Sequence, residues 1–542
     1  MPGGKMKLDE DLGPDRGDDF QTDDEENQAE RVFEHLGDDT ESDKTPPSPS
    51  FSSEDSPSPS WPQSYRQSMD MLTSVTPRGL DFIRRFGSFG RSDSSSTAFK
   101  RFEENQHDSA LTAPLVTDAS SLKQEDHMLT STPHAQSVAS SCELRPPKGQ
   151  CSLAQSVING TNMLCGIGIL TIPYAIKEGG WLSLSLLLMF AIICCYTGIL
   201  LQRCIENYIG LKTYPDIGQA AFGIAGRLGI AIFLYVELFA SCVEYIILVS
   251  DNLSSLFPNT HMRFGGTDFD TEQIFAITAA VLVLPTVWLR NLSLLSYISV
   301  GGIFASMLVA LCLFWVGTVD QVVVGFKPSR KILDLENISV SVGLYSFCFA
   351  GHAVFPNIYT SMKEPSKFSS VLYISFAFCL VMYISVGTMG YLTFGDSVES
   401  QFTLNMPKEL YASKIATWTT AVTPLAKYAL TLLPIASSIE ELVPSPRLRC
   451  HATSVIIRTV LVILSLLVAL YIPYFGSLMA LIGSFMSTVV ALIYPCACYL
   501  KLHSDRVSKV EITNCILVIN VGLVCAFIGS YSAISKLAGD GD

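Results

Sequence analysis

A stretch that is apolar enough to cross a membrane, but too rich in glycine to remain helical, dominates this sequence. Residues 153–176 are long enough to span a bilayer, which takes about 20 residues of helix. The middle of this stretch reads GTNMLCGIG, and glycine, threonine and asparagine are poor helix formers. A broken helix survives in lipid only where protein or a water-filled cavity receives the freed backbone groups. The pattern therefore predicts a helix that breaks at mid-membrane, beside a cavity.

A second copy of this pattern distinguishes the broken helix from a simpler interpretation, in which the glycines only let two helices pack closely. Residues 346–361 read SFCFAGHAVFPNIYTS. Gly351 and Pro356 repeat the spacing of Gly168 and Pro173 at an offset of 183 residues (351 − 168 and 356 − 173). The same offset carries the other apolar runs of the first half onto those of the second. Two interrupted helices at matching positions indicate a transporter with a binding site near the midplane.

The apolar runs predict an all-α membrane protein with eleven spanning helices. Hydrophobic residues make up 49% of the chain and charged residues only 16%, which is a membrane composition. The predicted spans are residues 153–176, 182–206, 225–253, 272–289, 296–319, 338–359, 371–392, 411–439, 451–472, 476–500 and 510–533. The transmembrane domain is expected over residues 151–537, with one repeat at about 152–320, a second at about 335–502, and an extra helix at about 510–533.

Residues 1–150 form an acidic tail rich in serine and proline. The tail contains 28 acidic and 15 basic residues. Such a polar segment cannot bury enough apolar surface to offset the conformational entropy lost on folding, so it is predicted to be disordered. Residues 79–91 (GLDFIRRFGSFGR) could form a membrane-surface helix, although two internal glycines favour a disordered basic stretch. Ser88 follows two arginines and suits a basic-directed kinase. Kinases or sorting factors are therefore the partners expected at the tail.

Basic residues set the predicted orientation. With the tail in the cytosol, the cytosolic loops and span ends hold more lysine and arginine, including Arg203, Arg290 and Arg458, than the opposite side. Eleven spans then place the carboxyl terminus in the lumen. The fifteen cysteines avoid the predicted luminal loops, and no Cys/His set has metal-ligand spacing. Neither a disulfide framework nor a metal or other cofactor is expected, and nucleic acid is not an expected partner.

Four short motifs carry a family resemblance. They are AIKEGGW at 175–181, CCYTG at 194–198, PDIG at 215–218 and KEP at 363–365. In this order they resemble the amino acid/auxin permease family, in particular its vacuolar amino-acid transporters and vesicular inhibitory amino-acid transporter. The long acidic tail is more similar to the plant and fungal vacuolar branch. The resemblance implies a LeuT-like fold with five-plus-five inverted repeats, amino-acid substrates and proton coupling across an organelle membrane.

The two breaks offer complementary groups for an amino acid. Amide N–H groups between Thr161 and Gly168 can hold its carboxylate, and carbonyl groups freed near Phe349 can accept from its ammonium. The family resemblance implies that both breaks line the site, although packing is an equal alternative for each side chain. The expected substrate-binding residues are Thr161, Asn162, Met163, Cys165, Gly166, Gly168, Phe349, Gly351 and His352.

Four ionisable residues inside the spans are candidates for proton coupling, since such groups are costly in a membrane. Glu237 and Glu244 lie seven residues apart on one helix face, and Lys427 lies at Glu244 plus the repeat offset. One of these groups could carry the proton, or Glu244 and Lys427 could lock one conformation; structural pairing is the alternative. His352 could titrate between lumen and cytosol, or only hydrogen-bond to backbone.

The predicted function is secondary transport of amino acids by alternating access, driven by a proton gradient. The predicted mode is antiport, in which protons leave an acidic organelle such as the vacuole as amino acids enter it. Proton symport out of the organelle or at the plasma membrane is an alternative. An amino-acid sensor that retains the fold is an alternative of another class. An enzyme is disfavoured, because no nucleophile–base pair, phosphate loop or metal motif is evident.

Overall fold

The computed structural model describes part of the tail and nearly all of the membrane domain. The described residues are 61–62, 64–66, 68–69 and 151–540, except 209, 265–266, 290–292, 321–324, 328, 330 and 444–450. The predicted disorder of most of the tail, the surface helix at 79–91 and the kinase site at Ser88 lie outside these residues.

Fourteen helices and one short hairpin form the described membrane domain. The helices are α1 (Leu153–Leu164), α2 (Ile172–Gly179), α3 (Leu184–Asn207), α4 (Tyr214–Leu256), α5 (Thr271–Trp288), α6 (Ser293–Thr318), α7 (Ile338–Cys348), α8 (Phe355–Ser361), α9 (Phe368–Phe394), α10 (Tyr411–Leu442), α11 (His451–Tyr471), α12 (Phe475–Ile482), α13 (Tyr494–Leu502) and α14 (Lys509–Asp540). The hairpin pairs β1 (Met262–Phe264) with β2 (Thr267–Phe269). Two π-helical turns, Gly483–Ser487 and Val489–Ile493, join α12 to α13.

Local sequence explains where several helices begin and bend. Ser152 and Gln155 form a capping box at the start of α1, and Thr213 and Asp216 form one at the start of α4. The 43-residue α4 contains a kink at Gly223, whose φ of 67° suits glycine. Before α7, Asp334 accepts hydrogen bonds from the following backbone, and its ion pair with Lys331 lowers the pKa of Asp334 to about 2.

The second half repeats the first at the predicted offset. Adding 183 to the bounds of α2 gives 355–362, against Phe355–Ser361 for α8. In the same way α1 corresponds to α7, α3 to α9, α4 to α10, α5 to α11, and α6 to α12 with α13. Only α14 lies outside this correspondence among the described helices. Five helical units therefore repeat as five, as predicted.

The two repeats run in opposite directions through the molecule. The start of α1 lies beside the end of α8, where Cys151 N–H donates to Ser361 O at 2.9 Å. The end of α2 lies beside the start of α7, where Asp334 N–H donates to Gly179 O at 3.2 Å. Each broken helix thus begins on the side where the other ends. The predicted fold class, an all-α membrane protein with inverted LeuT-like repeats and broken first and sixth helices, is confirmed.

The number of spans is less definite than the repeat. Among the described residues, nine helices are long and apolar enough to cross a membrane, and the bent pair Leu153–Leu164 and Ile167–Gly179 makes a tenth. Ile338–Cys348 is apolar but too short to cross alone. It matches the sixth predicted span, residues 338–359, only together with α8 beyond the break. The count of eleven, like the orientation of the termini, stays a prediction.

The core is assembled from helix pairs in close contact. α10 packs along α4 and α6, and α9 packs against α1, α2 and α3. α7 and α12 cross so closely that a Cβ atom on Gly343 would lie 2.2 Å from Ala480 O. A Cβ atom on Gly483 would lie 1.9 Å from Gly343 O. Both positions therefore require glycine. Small residues at membrane helix crossings let the two backbones approach closely.

Part of the acidic tail packs against this domain, which differs from the prediction of disorder throughout residues 1–150. The described tail residues, called here the docked segment, are Trp61, Pro62, Ser64, Tyr65, Arg66, Ser68 and Met69. Tyr65 is 1% exposed and Met69 is fully buried. The physical reason is local: Tyr65 and Met69 are helical and four residues apart, so both point to one apolar face, and Trp61 lies just before that helical turn.

Candidate functional site

The first break lies between α1 and α2. Cys165 (φ −81°, ψ 60°) and Gly166 (φ −92°, ψ −147°) leave the helical region, and the chain resumes as a 3₁₀ turn, Ile167–Thr171, that leads into α2. The two halves of the helix are inclined by 46°. A Cβ atom on Gly166 would meet nothing within 4 Å, so this residue borders open space.

The second break lies between α7 and α8, directly beside the first. Residues 349–354 are not α-helical, and Gly351 N–H turns back to donate to Phe349 O at 3.0 Å. Gly168 of the first break faces the end of α7, where a Cβ atom would lie 2.8 Å from Cys348 Sγ. The close approach of the two breaks brings freed backbone groups of both helices to one place.

Two hydroxyl groups from neighbouring helices donate hydrogen bonds to carbonyl groups that the helix breaks leave without helical partners. Ser306 Oγ on α6 donates to Cys165 O at 3.2 Å. The Tyr383 hydroxyl on α9 donates to Leu164 O and also lies 3.3 Å from Cys348 O, at the other break. These contacts satisfy backbone groups that would be costly to bury unpaired. They also explain how the broken geometry persists inside a membrane domain.

A cavity of about 140 Å³ occupies the junction of the two breaks. Its lining comes from both breaks, from α4, from α10 and from the docked segment. The lining residues are Met69, Asn162, Met163, Leu164, Gly166, Ile167, Gly168, Leu234, Glu237, Leu238, Ser241, Tyr245, Phe347, Cys348, Ala350, Ala353, Val354, Lys427, Leu430 and Thr431.

Polar and charged groups of both signs line this cavity. Glu237 on α4 accepts a hydrogen bond from Ser487 Oγ at 2.6 Å. Lys427 on α10 also borders a second cavity of about 40 Å³ on the other side of Gly166. The Oδ1 atom of Asn162 is buried and has no hydrogen-bond partner among the described residues. An acidic side chain, a basic side chain and an unpaired amide oxygen therefore border one space, which suits a ligand that carries groups of both signs.

Several predicted site residues lie in this cavity and others do not. Asn162, Met163, Gly166 and Gly168 line it, together with Glu237 and Lys427 of the proposed proton-coupling set. The lining does not include Thr161, Cys165, Phe349, Gly351, His352 and Glu244. A substrate contact or a proton-coupling role for each named residue stays a prediction.

The residues outside the lining have other neighbours. Phe349 packs its ring on Phe376 at 5.8 Å between centroids, and a Cβ atom on Gly351 would meet the Phe355 ring at 2.8 Å. Thr161 O accepts from Cys165 N–H at 2.7 Å, within the last turn of α1. These contacts fit the packing alternative for Phe349, Gly351, Thr161 and Cys165.

His352 and Glu244 are fully buried but lie in different surroundings. His352 Nε2 lies 3.1 Å from Cys194 O and 2.9 Å from Thr197 Oγ1, both on α3. A neutral ring that donates from Nε2 to the carbonyl fits this arrangement. Neither carboxyl oxygen of Glu244 has a hydrogen-bond partner in the described part of the chain. The structure therefore gives no sign of the suggested Glu244–Lys427 pair.

Sequence reasoning missed four lining residues with polar or flexible side chains. Ser241 and Tyr245 continue the face of α4 that starts at Glu237, in steps of four residues, and Thr431 follows Lys427 by four on α10. This helical spacing was available as a signal. Met69 comes from the tail. The sequence signal for it was the spacing of Trp61, Tyr65 and Met69, apolar residues four apart in an otherwise polar region.

A polar network lies at the carboxyl-terminal end of α4, on one side of the cavity. The 3₁₀ turn Phe402–Asn405 packs over Ile167–Thr171, α4 and α10. Beneath it, Asn252 Nδ2 donates to Gln401 Oε1 at 2.7 Å, and Thr403 Oγ1 donates to Asn252 Oδ1 at 2.9 Å. The docked segment lies on the opposite side. Among the described residues no cluster of three or more His, Cys, Asp and Glu could hold a metal ion.

Comparison with known proteins identifies the family. The model of the transmembrane amino acid transporter protein family matches residues 149–535. Amino acid transporter AVT1D of Arabidopsis thaliana is 51% identical, over 89% of this chain and 87% of that protein. Amino acid transporter AVT1E of the same plant is 49% identical, over 94% of this chain and 97% of that protein.

Solved structures give a more distant similarity. The crystal structure of MhsT in complex with L-phenylalanine is 11% identical in sequence with a TM-score of 0.44, and the match covers 72% of this chain and all of that one. The match of the family model over most of the described membrane domain, and the two plant relatives at about half identity, confirm the predicted resemblance. This chain therefore belongs to the transmembrane amino acid transporter protein family.

Proposed function

We propose that this chain is a secondary active amino-acid transporter that works by alternating access in the membrane of a vacuole or another acidic organelle. The observation that carries the proposal is the cavity at the junction of the two helix breaks, with charges of both signs around it. The names of the two plant relatives support the substrate class. A broken helix pair at the centre of an inverted repeat supports the transport mechanism.

The cavity can bind the two charged ends of an amino acid at different walls. In the proposed complex the substrate carboxylate meets the N–H groups at Gly166 and Gly168, where the second half of the first helix begins. Asn162 and Lys427 add a side-chain donor and a positive charge on the same region. The substrate ammonium meets Glu237 and the carbonyl groups of the second break. Met163 and Tyr245 would then contact the substrate side chain.

Proton coupling follows from competition for a carboxylate. A proton and the substrate ammonium cannot occupy Glu237 together, so a cycle in which they alternate exchanges one for the other. Glu244 lies two helical turns beyond Glu237 on α4, and its carboxyl group has no hydrogen-bond partner among the described residues. The protonated form suits such a site. Lys427 is a third candidate because it lines the cavity. His352 is the weakest of the four, because it bonds to α3 instead.

Uptake into vesicles tests this proposal directly. The purified full chain is reconstituted, its orientation is scored by protease access to the tail, and a pH gradient is imposed with an acidic interior. A panel of labelled amino acids should accumulate inside when the tail faces outward, and a proton ionophore should abolish the accumulation. Accumulation under the opposite gradient would indicate symport. Binding without flux would indicate a sensor and would contradict the proposal.

Four variants, Glu237→Gln, Glu244→Gln, Lys427→Ala and His352→Ala, identify the coupling group. The variant that lacks this group should still exchange labelled for unlabelled amino acid, but should no longer accumulate substrate in response to the gradient. Glu409→Gln, in an exposed loop, is the matched control and should behave as the unmodified chain. If coupling were unchanged in all four variants, this assignment of the proton site would be wrong.

A further inference from the structure

The docked segment fits a groove between α4, α8 and α10 through specific hydrogen bonds. Trp61 Nε1 donates to Ser438 O at 2.9 Å, and the Tyr65 hydroxyl donates to Ala353 O at 3.1 Å. In return, Arg227 donates from Nε to Trp61 O at 2.9 Å and from its terminal nitrogen to Pro62 O at 3.2 Å. The backbone carbonyl groups of Trp61 and Pro62 are thus recognised, as in a bound peptide.

Apolar burial accompanies these hydrogen bonds. The Trp61 and Tyr65 rings meet Tyr235 edge-on, with centroids 5.9 and 6.1 Å apart. Tyr65, Ser68 and Met69 are at most 3% exposed. Aromatic side chains buried in a pocket dominate the stability of peptide contacts. The segment is therefore held by anchors rather than by loose surface contact.

The end of the segment reaches the central cavity itself. Met69 lines the same space as Glu237, Lys427 and Gly166. The network around Asn252 and Gln401 lies towards the other end of α4. A segment that served only to stabilise the exterior would have no reason to extend to the substrate site. Met69 thus lies in the cavity wall on the side where the docked segment contacts α4 and α10.

We propose that the docked segment is a plug that this chain carries for its own substrate cavity. Docked, it blocks access from the side of the tail, which the basic residues predict to be cytosolic. Undocked, it frees a groove lined by Tyr235, Arg227 and Ala353 and lets amino acids reach the site. The tail then regulates transport by occupying the cavity entrance, a role that the transport proposal does not include.

Charge next to the segment provides a way to release it. The backbone N–H of Ser64 donates to the Glu441 carboxylate, while the Ser64 hydroxyl has no hydrogen-bond partner among the described residues. A space of about 300 Å³ beside it is lined by Glu440 and Glu441. Glu440 forms an ion pair with Arg458, whereas Glu441 contacts the Ser64 backbone. A negative charge placed on Ser64 would therefore lie against the Glu441 carboxylate, and repulsion would favour undocking.

Chemical labelling of the cavity tests the plug without requiring transport. Ser241→Cys places a thiol in the cavity of the reconstituted full chain, and a charged thiol reagent is added on the tail side. The label on residue 241 is quantified by mass spectrometry, which separates it from native cysteines. The plug is weakened by the double substitution Tyr65→Ala and Met69→Ala, or by Ser64→Asp with Ser64→Ala as its neutral control.

The plug predicts faster labelling in both weakened forms and no change in the neutral control. Loss of two fully buried side chains should shift the docking equilibrium by about tenfold or more. A synthetic peptide of residues 59–70 should slow labelling of the double variant again, and a scrambled peptide should not. Equal labelling rates in all forms, or faster labelling that the peptide does not reverse, would overturn the proposal. Because binding of reagent needs no flux, failure of the transport proposal would leave this result unaffected.

Discussion

The hydroxyl group of Tyr383 lies within reach of carbonyl oxygens at both helix breaks. It donates to Leu164 O, at the end of α1, and lies 3.3 Å from Cys348 O, at the end of α7. The ring itself is fully buried and packs edge-on against Phe349, with centroids 5.5 Å apart. One side chain therefore holds the two interrupted helices at a fixed separation.

Removing this hydroxyl should weaken the fold while leaving the ring in place. Tyr383→Phe leaves a buried carbonyl without a donor, which typically costs about 1–3 kcal/mol. We expect a lower unfolding midpoint in detergent and slower substrate exchange. Tyr373→Phe on the same helix is the matched control, because Tyr373 is 57% exposed. Equal midpoints for the two variants would show that Tyr383 does not support the breaks.

At the same scale, the sequence indicated only part of the candidate site. Glycine and asparagine in an apolar stretch indicate a break, so Asn162, Gly166 and Gly168 could be found without coordinates. The orientation of a buried side chain depends on tertiary packing, so nothing in the sequence showed that Phe349 stacks on Phe376. His352 likewise turns towards α3, which no local pattern encodes.

Among elements, the crossing of α7 and α12 depends on the absence of side chains. A Cβ atom on Gly343 would lie 2.2 Å from Ala480 O and 2.9 Å from the Ala480 carbonyl carbon. Both atoms belong to backbone, so the helices themselves would have to separate. α7 also contacts α2 and α14, and it ends at the second break. A shift of α7 would therefore reach the cavity.

Gly343→Ala should consequently destabilise the protein and impair substrate binding. Gly301→Ala is the control, because a Cβ atom on Gly301 of α6 would meet nothing within 4 Å. Alanine is the better helix former by about 1 kcal/mol, so the control should be neutral or slightly stabilising. Thermal unfolding and binding of labelled amino acid measure the two effects. A Gly343→Ala protein as stable as the control would contradict this account of the crossing.

The sequence was most informative about the helices and their correspondence between the two repeats. The offset of 183 residues predicted which helices correspond, since an internal repeat preserves helix lengths and the position of each break. The predicted span at 338–359 contains the break, and the structure divides it into α7 and α8. The two π-helical turns between α12 and α13 were not foreseen, because apolar periodicity does not distinguish them from α-helix.

For the whole molecule, the helix outside the repeat is tied to the second half of the first broken helix. Lys536 on α14 forms an ion pair with Glu178 at 3.0 Å and donates to the Tyr174 hydroxyl at 2.7 Å, and both partners belong to α2. The side chain of Glu178 is only 9% exposed. The ion pair therefore compensates one buried charge near the end of α2.

Lys536→Met should loosen α2 and lower stability, because an unpaired buried carboxylate is costly. Hydrogen exchange of the α2 backbone should become faster than in the unmodified chain. Adding Glu178→Gln to Lys536→Met should recover part of the stability, since the unpaired charge is then removed. Lys408→Met, in an exposed loop, is the control. Unchanged exchange in α2 would argue against this attachment.

The tail was the least predictable part of the molecule. Composition indicates disorder for residues 1–150 as a whole, because composition averages over the few apolar residues that matter. Trp61, Tyr65 and Met69 are isolated in sequence and become a contact only against a groove built from α4, α8 and α10. Such a groove exists only once distant helices have assembled.

The double contact of Tyr383 also determines how the helices are grouped mechanically. Since α9 is fastened to both interrupted helices and packs along α1, α2 and α3, it would have to travel with them as one rigid block. The chain leaves that block at Gly395, whose φ of 59° strains any residue with a side chain. A substitution at this single glycine would therefore act where the chain leaves the helices that Tyr383 holds together, without touching the cavity lining.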